Sequence, residues 1–238
     1  KERTARGTAL VNLIALQPGE HVEAIIDTRT YEDGNFLFFA TKHGVVKKTR
    51  MSEYDSSLRT GLNAINLRDG DELVRVVQTT GNDEIFMVSR NGMTIRFSEQ
   101  NVRSMGRATA GVRGMKLKGS DDAVVSCDVA RDEADLLLVT SAGFGKRTKL
   151  ERFNAQGRGG QGVRGMKVTP LRGQVVAAFM ASLDDEILVF SSEGNIIRME
   201  AREISSQGRD ATGVRVARVG AGESVVAVAP VLDLGEED

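Results

Sequence analysis

Four short apolar runs of this chain are each broken by the same kind of turn. The turns are Thr41-Lys42-His43-Gly44, Ser89-Arg90-Asn91-Gly92, Thr140-Ser141-Ala142-Gly143 and Ser191-Ser192-Glu193-Gly194. A basic residue follows four positions after every glycine: Lys48, Arg96, Arg147 and Arg198. Successive glycines lie 48, 51 and 51 residues apart. A period of about 50 residues belongs to propeller blades and solenoid units, which bury their faces only against their neighbours. The 238 residues are therefore read as one closed or stacked array. A cation at a fixed place in every unit falls on an arc once the units are arrayed, and an arc of cations suits a long polyanion.

One unit shows the secondary structure. Leu136 to Val139 is fully apolar, and the return Phe144 to Lys149 completes a hairpin around the glycine turn. A glycine-rich loop follows, then two more extended segments, VRGMKV and QVVAAFMA. Asn91-Gly92 gives the strongest hairpin signal, because both residues tolerate positive φ. No stretch of ten residues keeps a 3.6 period, so the expectation is all-β, with about four strands per unit. The units run at about 34–80, 83–130, 134–181 and 185–231, after an N-terminal half-repeat at 1–30 and before an acidic tail at 232–238. Each small sheet must bury its faces on the next, which favours a propeller-like ring over a sandwich.

A net charge of −1 argues at first sight against a polyanionic partner, but its distribution argues for one. From 140 to 172 eight basic residues stand against Glu151 alone, whereas 173 to 193 carries four acids and no base. Residues 86 to 118 and 119 to 139 divide in the same way. Arraying the units merges these zones into one basic and one acidic surface.

Catalytic and metal chemistry find little support. There are two histidines, His21 and His43, and one cysteine, with neither CxxC nor HExxH, so no metal ligand set is expected. Cys127 lies in the apolar run VVSCDV and reads as a small buried thiol, in keeping with a reducing cytosol. The acids cluster in turn-like segments such as RDGDE at 68 and LDDE at 183, where solvated turns are expected. No apolar stretch approaches the roughly 18 residues of a membrane-spanning helix. The loop Gln156, Gly157, Arg158, Gly159, Gly160, Gln161, Gly162 formally contains GxGxxG. It has no apolar strand before it, no helix after it and no acid about 20 residues on, so no dinucleotide site is expected. Glycines that let backbone N–H groups approach closely, around an arginine fork, suit phosphate better.

These residues resemble a known family. The recurring Ser/Thr-x-x-Gly-x-x-x-Lys/Arg unit, the loops RTARG, MGRATAGVRGM, QGRGGQGVRGM and QGRDATGVR, and the segment NAINLRDGDELV are similar to the C-terminal domain of the DNA gyrase A subunit. The resemblance covers essentially the whole chain, with the topoisomerase IV counterpart a closer alternative than any unrelated propeller. It implies a β-pinwheel, usually of six blades, that wraps duplex DNA around a basic rim without sequence preference. It also implies that strand breakage, ATP and Mg2+ belong to other parts of a complex containing the rest of gyrase A together with gyrase B. Further implications are a cytoplasmic, nucleoid-associated setting, an isolated domain that is monomeric, and no cofactor or catalytic residue in this chain. The family's hallmark box reads Gln, basic, Arg, Gly, Gly, basic, Gly. The loop at 156 keeps Gln156, Arg158, Gly159, Gly160 and Gly162 but has Gly157 and Gln161 at the two basic positions. It is read as a degenerate or secondary box, the principal one lying upstream of Lys1.

The expected phosphate contacts form three rows. The first is Lys48, Arg96, Arg147 and Arg198, helped by Lys47, Arg50, Lys146 and Lys149. Arg59, Arg107, Arg158 and Arg209 precede the loop glycines, and Arg113, Arg164 and Arg215 follow them. Arg158, between glycines that leave it unshielded, is expected to matter most. An interaction propeller of the WD or kelch type would explain the period equally well. The chain has no tryptophan and only 5% aromatic residues, which leaves such a surface short of anchors.

Overall fold

The computed structural model describes residues 16, 22–26, 35–55 and 62–231. The half-repeat at 1–30 is therefore described only at residues 16 and 22–26, which form no strand, and His21, Arg59 and the tail at 232–238 lie outside the described residues.

Each unit opens with an antiparallel hairpin: β1 (Phe36–Thr41) with β2 (Val45–Arg50), β4 (Glu84–Ser89) with β5 (Met93–Ser98), β8 (Asp135–Thr140) with β9 (Phe144–Lys149), and β12 (Glu186–Ser191) with β13 (Ile196–Glu200). A later strand of the same unit pairs with the first hairpin strand: β3 (Leu73–Thr79), β7 (Val124–Val129), β11 (Val175–Ala181) and β15 (Val225–Pro230). β3, β7, β11 and β15 contact one another in that order and line one shared cavity, which makes them the hub of a propeller-like fold.

The hairpin turn differs from the Asn-Gly expectation. Of Asn91 and Gly92 only the glycine takes positive φ, 78°, and no non-glycine residue does so among those described. Gly92 N–H donates to Ser89 O at 2.9 Å, which closes an ordinary turn ahead of a left-handed glycine. Asp71 and Asp122 hold these turns from beneath and are buried, correcting the expectation of solvated acids. Asp71 accepts from the Thr41 hydroxyl at 2.7 Å and from His43 N–H at 2.9 Å, and Asp122 accepts from Asn91 N–H at 3.0 Å.

The fourth strand of a sheet comes from the next unit. Two-residue strands β6 (Val112–Arg113), β10 (Val163–Arg164) and β14 (Val214–Arg215) pair with β2, β5 and β9 of the preceding unit. Gly111, Gly162 and Gly213 lead into them with φ of 89°, 72° and 81°. A Cβ on any of the three would collide with a carbonyl oxygen of the preceding unit, at Val46, Thr94 and Gly145 respectively. These glycines permit the close backbone approach by which one unit completes another. The last sheet, β13-β12-β15, has three strands among the described residues.

The core lies between the sheets. Along the first hairpin strand Ile85 and Met87 face one way, into a cluster with Phe38 and Ala40, while Phe86 and Val88 face the other, toward Leu136 and Leu138. Leu137 and Val139 continue the pattern against Ile187 and Val189. A strand buried on both faces needs no polar alternation, which is why these runs are uniformly apolar. Phe86 and Phe153 meet edge to face with centroids 5.4 Å apart, and each such side chain contributes about 1.5–3 kcal/mol by burial. Leu188 and Phe190, at the equivalent positions of the last unit, are only half-buried.

Candidate nucleic-acid interface

Three of the four cations in the first expected row, Lys48, Arg96 and Arg147, are largely withdrawn from solvent. Lys48 and Arg147 are each 6% exposed, and their side chains cross to the next unit. Lys48 Nζ donates to Glu99 O at 3.0 Å, with the buried Glu99 carboxylate 3.4 Å away. Arg147 Nε donates to Ile204 O at 2.8 Å while its Nη1 pairs with Asp135. Arg96, partly buried, donates to Phe153 O at 3.0 Å and Leu150 O at 3.3 Å and pairs with Glu84. Each cation thus latches onto a carbonyl at the short 3-10 turn that follows the next hairpin, Glu99–Asn101, Leu150–Arg152 or Ala201–Glu203 and the residue after it. Arg198 has no following unit among the described residues, and its exposed side chain pairs with Glu186.

Lys47 and Lys146 are fully buried, which also removes them from the phosphate-contacting set. Lys146 Nζ donates to Gly208 O at 2.6 Å and Arg209 O at 3.0 Å, pinning the loop of the next unit from beneath. Lys47 Nζ donates to Ala64 O and lies 5.0 Å from the Phe39 ring centroid. Burial pushes both ammonium groups down to about 8, with the positive charge of Arg107 adding to the effect at Lys47. An unfolded lysine titrates near 10.4, so between the two values the unfolded chain binds more protons and stability from these groups rises with pH. The chain should accordingly gain stability relative to a Lys146→Met variant as pH rises from about 8 to 10.5, read as the difference in urea midpoints. A midpoint difference, parent minus variant, that falls or stays constant over that window would show that burial does not depress the Lys146 ammonium.

Rim residues are found on the outermost strands. Arg113, Arg164 and Arg215 belong to β6, β10 and β14, at the sheet edges away from the hub, and are exposed. Lys116, Lys167 and Arg218 follow three positions later in the same register and are exposed as well. Sequence reasoning misses this second row, although its signal, VRGMK at 112, VRGMK at 163 and VRVAR at 214, is in plain view. Arg50 and Lys149, at the ends of β2 and β9, are exposed too. Arg164 pairs loosely with Asp210 at 3.2 Å, and the Arg215 guanidinium lies 4.7 Å from the Phe144 ring centroid. Arg107 and Arg209 are half-buried, whereas Arg158 is exposed and bound to backbone carbonyls.

No cluster of three metal-ligating side chains is present among the described residues, and burial pushes the Cys127 thiol up, away from the reactive thiolate. The glycine loop at 156–162 leads into a two-residue strand, without the helix a dinucleotide would need. No helix among the described residues is long and apolar enough to cross a membrane.

Comparison with known proteins agrees with this architecture. The family described as "DNA gyrase C-terminal domain, beta-propeller" matches at residues 35–80, 83–131, 134–182 and 185–232. The DNA gyrase A subunit of Mycolicibacterium smegmatis is 41% identical over 236 residues, 98% of this chain and 28% of that protein. Its Salmonella typhimurium counterpart is 42% identical over 231 residues, 97% of this chain and 26% of that protein. The chain thus spans about a quarter of the length of these curated relatives. Among solved structures, a DNA gyrase A C-terminal domain superposes with a TM-score of 0.85 at 28% identity, covering 96% of this chain and 76% of that one. A topoisomerase IV C-terminal domain gives 0.88 at 27% identity, covering 94% and 70%. With four units in register and the family matched in every one, the chain belongs to the DNA gyrase C-terminal domain family.

Proposed function

We propose that the chain is the duplex-DNA-binding and wrapping module of a DNA gyrase A subunit, supporting supercoiling by the whole enzyme while catalysing nothing itself. The observation that carries this reading is the pair of exposed cations repeated on the outermost strand region of three units: Arg113 with Lys116, Arg164 with Lys167, and Arg215 with Arg218. Arg50 and Lys149 add to it. A duplex bent along such an edge meets a pair of cations from each unit, and the resulting phosphate contacts offset the cost of bending. The aromatic rings beside these cations, Phe36 under Arg50 and Phe144 under Arg215, are buried and so not free to stack on bases, which leaves recognition to the backbone. Breakage and ATP-dependent steps, with Mg2+, fall to the remainder of gyrase A and to gyrase B, in the bacterial cytoplasm. The topoisomerase IV counterpart stays as a second reading because its solved domain superposes equally well, but the 41–42% identical relatives named above are gyrase proteins.

Titration of the chain with unrelated duplexes at several salt concentrations tests the proposal. With roughly 4 to 8 phosphates neutralised, log K against log salt should fall with a slope of about −4 to −7, the same for each sequence. A flat response, or strong preference for one duplex, would overturn it.

A further inference from the structure

The arginine expected to dominate DNA contact is bound to the protein's own backbone. Arg158 Nε donates to Asn101 O at 2.8 Å, and its Nη1 donates to Arg113 O at 2.9 Å. Around it the loop is stitched to the preceding unit by main-chain bonds: Gly159 N–H to Gly114 O at 2.6 Å and Lys116 N–H to Gly160 O at 2.8 Å. Those bonds flank the two rim cations of that unit, Arg113 and Lys116. Arg107 and Arg209 hold the same loop position in the neighbouring units, yet the side chain of neither makes a hydrogen bond among the described residues.

The difference has a local cause. Three positions after the hairpin glycine the strands carry Lys47, Ile95 and Lys146. Lys146 pins the loop of the following unit through the carbonyls of Gly208 and Arg209. Ile95 is wholly buried in the apolar cluster and has no group that could do this for the loop at 156–162. Lys47 turns to Ala64 O of its own unit, so the contrast is between Lys146 and Ile95: at Ile95 the strand offers no ammonium from below, and the loop supplies a guanidinium from above. The planar fork presents Nε and Nη1 as two separate donors to Asn101 O and Arg113 O, carbonyls of different segments, a geometry that the single ammonium nitrogen of a lysine in the same place does not match.

We propose that Arg158 is a positioning residue, which orders the loop and through it holds Arg113 and Lys116 at the rim, and does not itself neutralise a phosphate. The inference rests on the DNA-binding reading above but separates from it experimentally. Salt slopes count phosphates whereas affinity at fixed salt also reports order, so the two kinds of residue leave different signatures. Arg158→Ala should weaken duplex binding about 5- to 30-fold at fixed salt with the slope of log K against log salt unchanged, while Arg113→Ala lowers the slope by about 0.9. Arg158→Lys should behave like Arg158→Ala, since charge alone does not restore the fork. Without DNA, Arg158→Ala should also speed hydrogen exchange at the Gly159 and Lys116 amides, with the global unfolding midpoint within error of the parent.

A slope reduced by about one in Arg158→Ala makes Arg158 a phosphate contact and overturns the proposal. Unchanged affinity, or full function in Arg158→Lys, overturns it equally. Failure of the parent chain to bind any duplex is a different result, which removes the DNA reading, while the exchange measurement still decides whether Arg158 orders the loop.

Discussion

Replacing Arg147 by methionine is expected to lower the stability of the domain by about 3–5 kcal/mol, the cost of breaking a buried pair and stranding its partner. Arg147 is buried, and the change leaves the Asp135 carboxylate and the Ile204 carbonyl without their donor at the seam between two sheets. The methionine keeps much of the aliphatic bulk, so the effect reports the polar latch more than a cavity. Arg198→Met provides the internal control. It alters the same position of the repeat, but its pair with Glu186 is exposed and reaches no following unit, so the midpoint should not move. Urea unfolding of the two variants beside the parent makes the comparison, and 0.5 M salt should not mimic the Arg147 result, because a buried pair is little screened. Equal midpoints for the two variants would show that the latch does not hold the seam.

Much of the fold can be read from the sequence because the fold is periodic. Glycine turns every 50 residues or so, apolar strands before them and the loop glycines after them give the hairpins and the unit count without reference to any partner. The exchange of strands is hidden because Val112–Arg113 and its counterparts are two residues long, too short for any alternation to show, and their partners lie about 70 residues upstream. Misassignment of the first cation row has a related cause. A basic residue is almost always at the surface, and the exceptions are defined by what receives them. For Lys48, Arg96 and Arg147 the receivers are main-chain carbonyls more than 50 residues away, which no side-chain pattern announces. Asp71 and Asp122 escape a sequence reading for the same reason, since their partners are backbone amides about 30 residues upstream. By contrast the row Lys116, Lys167, Arg218 is legible in the sequence, and only its distance from the hairpin glycines makes it easy to pass over.

Changing Arg113, Arg164 and Arg215 together to glutamate is expected to weaken duplex binding by at least about 100-fold at constant salt, through three lost phosphate contacts and three new repulsions. The salt slope should fall by about 2.7, at about 0.9 per phosphate. Folding should survive. β6, β10 and β14 are held by main-chain pairing and by Val112, Val163 and Val214, while the arginine side chains project into solvent. What the fold loses is the exposed pair of Arg164 with Asp210 and the stacking of Arg215 on Phe144, both small at an exposed site. The corresponding triple change in the latch row, Arg96, Arg147 and Arg198 to glutamate, should instead lose binding because the sheets separate, which thermal unfolding would reveal before any DNA is added. The two triple variants therefore part on stability even if both fail to bind. A rim variant that unfolds like the latch variant would make Arg113, Arg164 and Arg215 structural. One that keeps both its fold and the parent's affinity would place the polyanion on another face, since among the described residues no other exposed cations recur at the same two positions of three successive units.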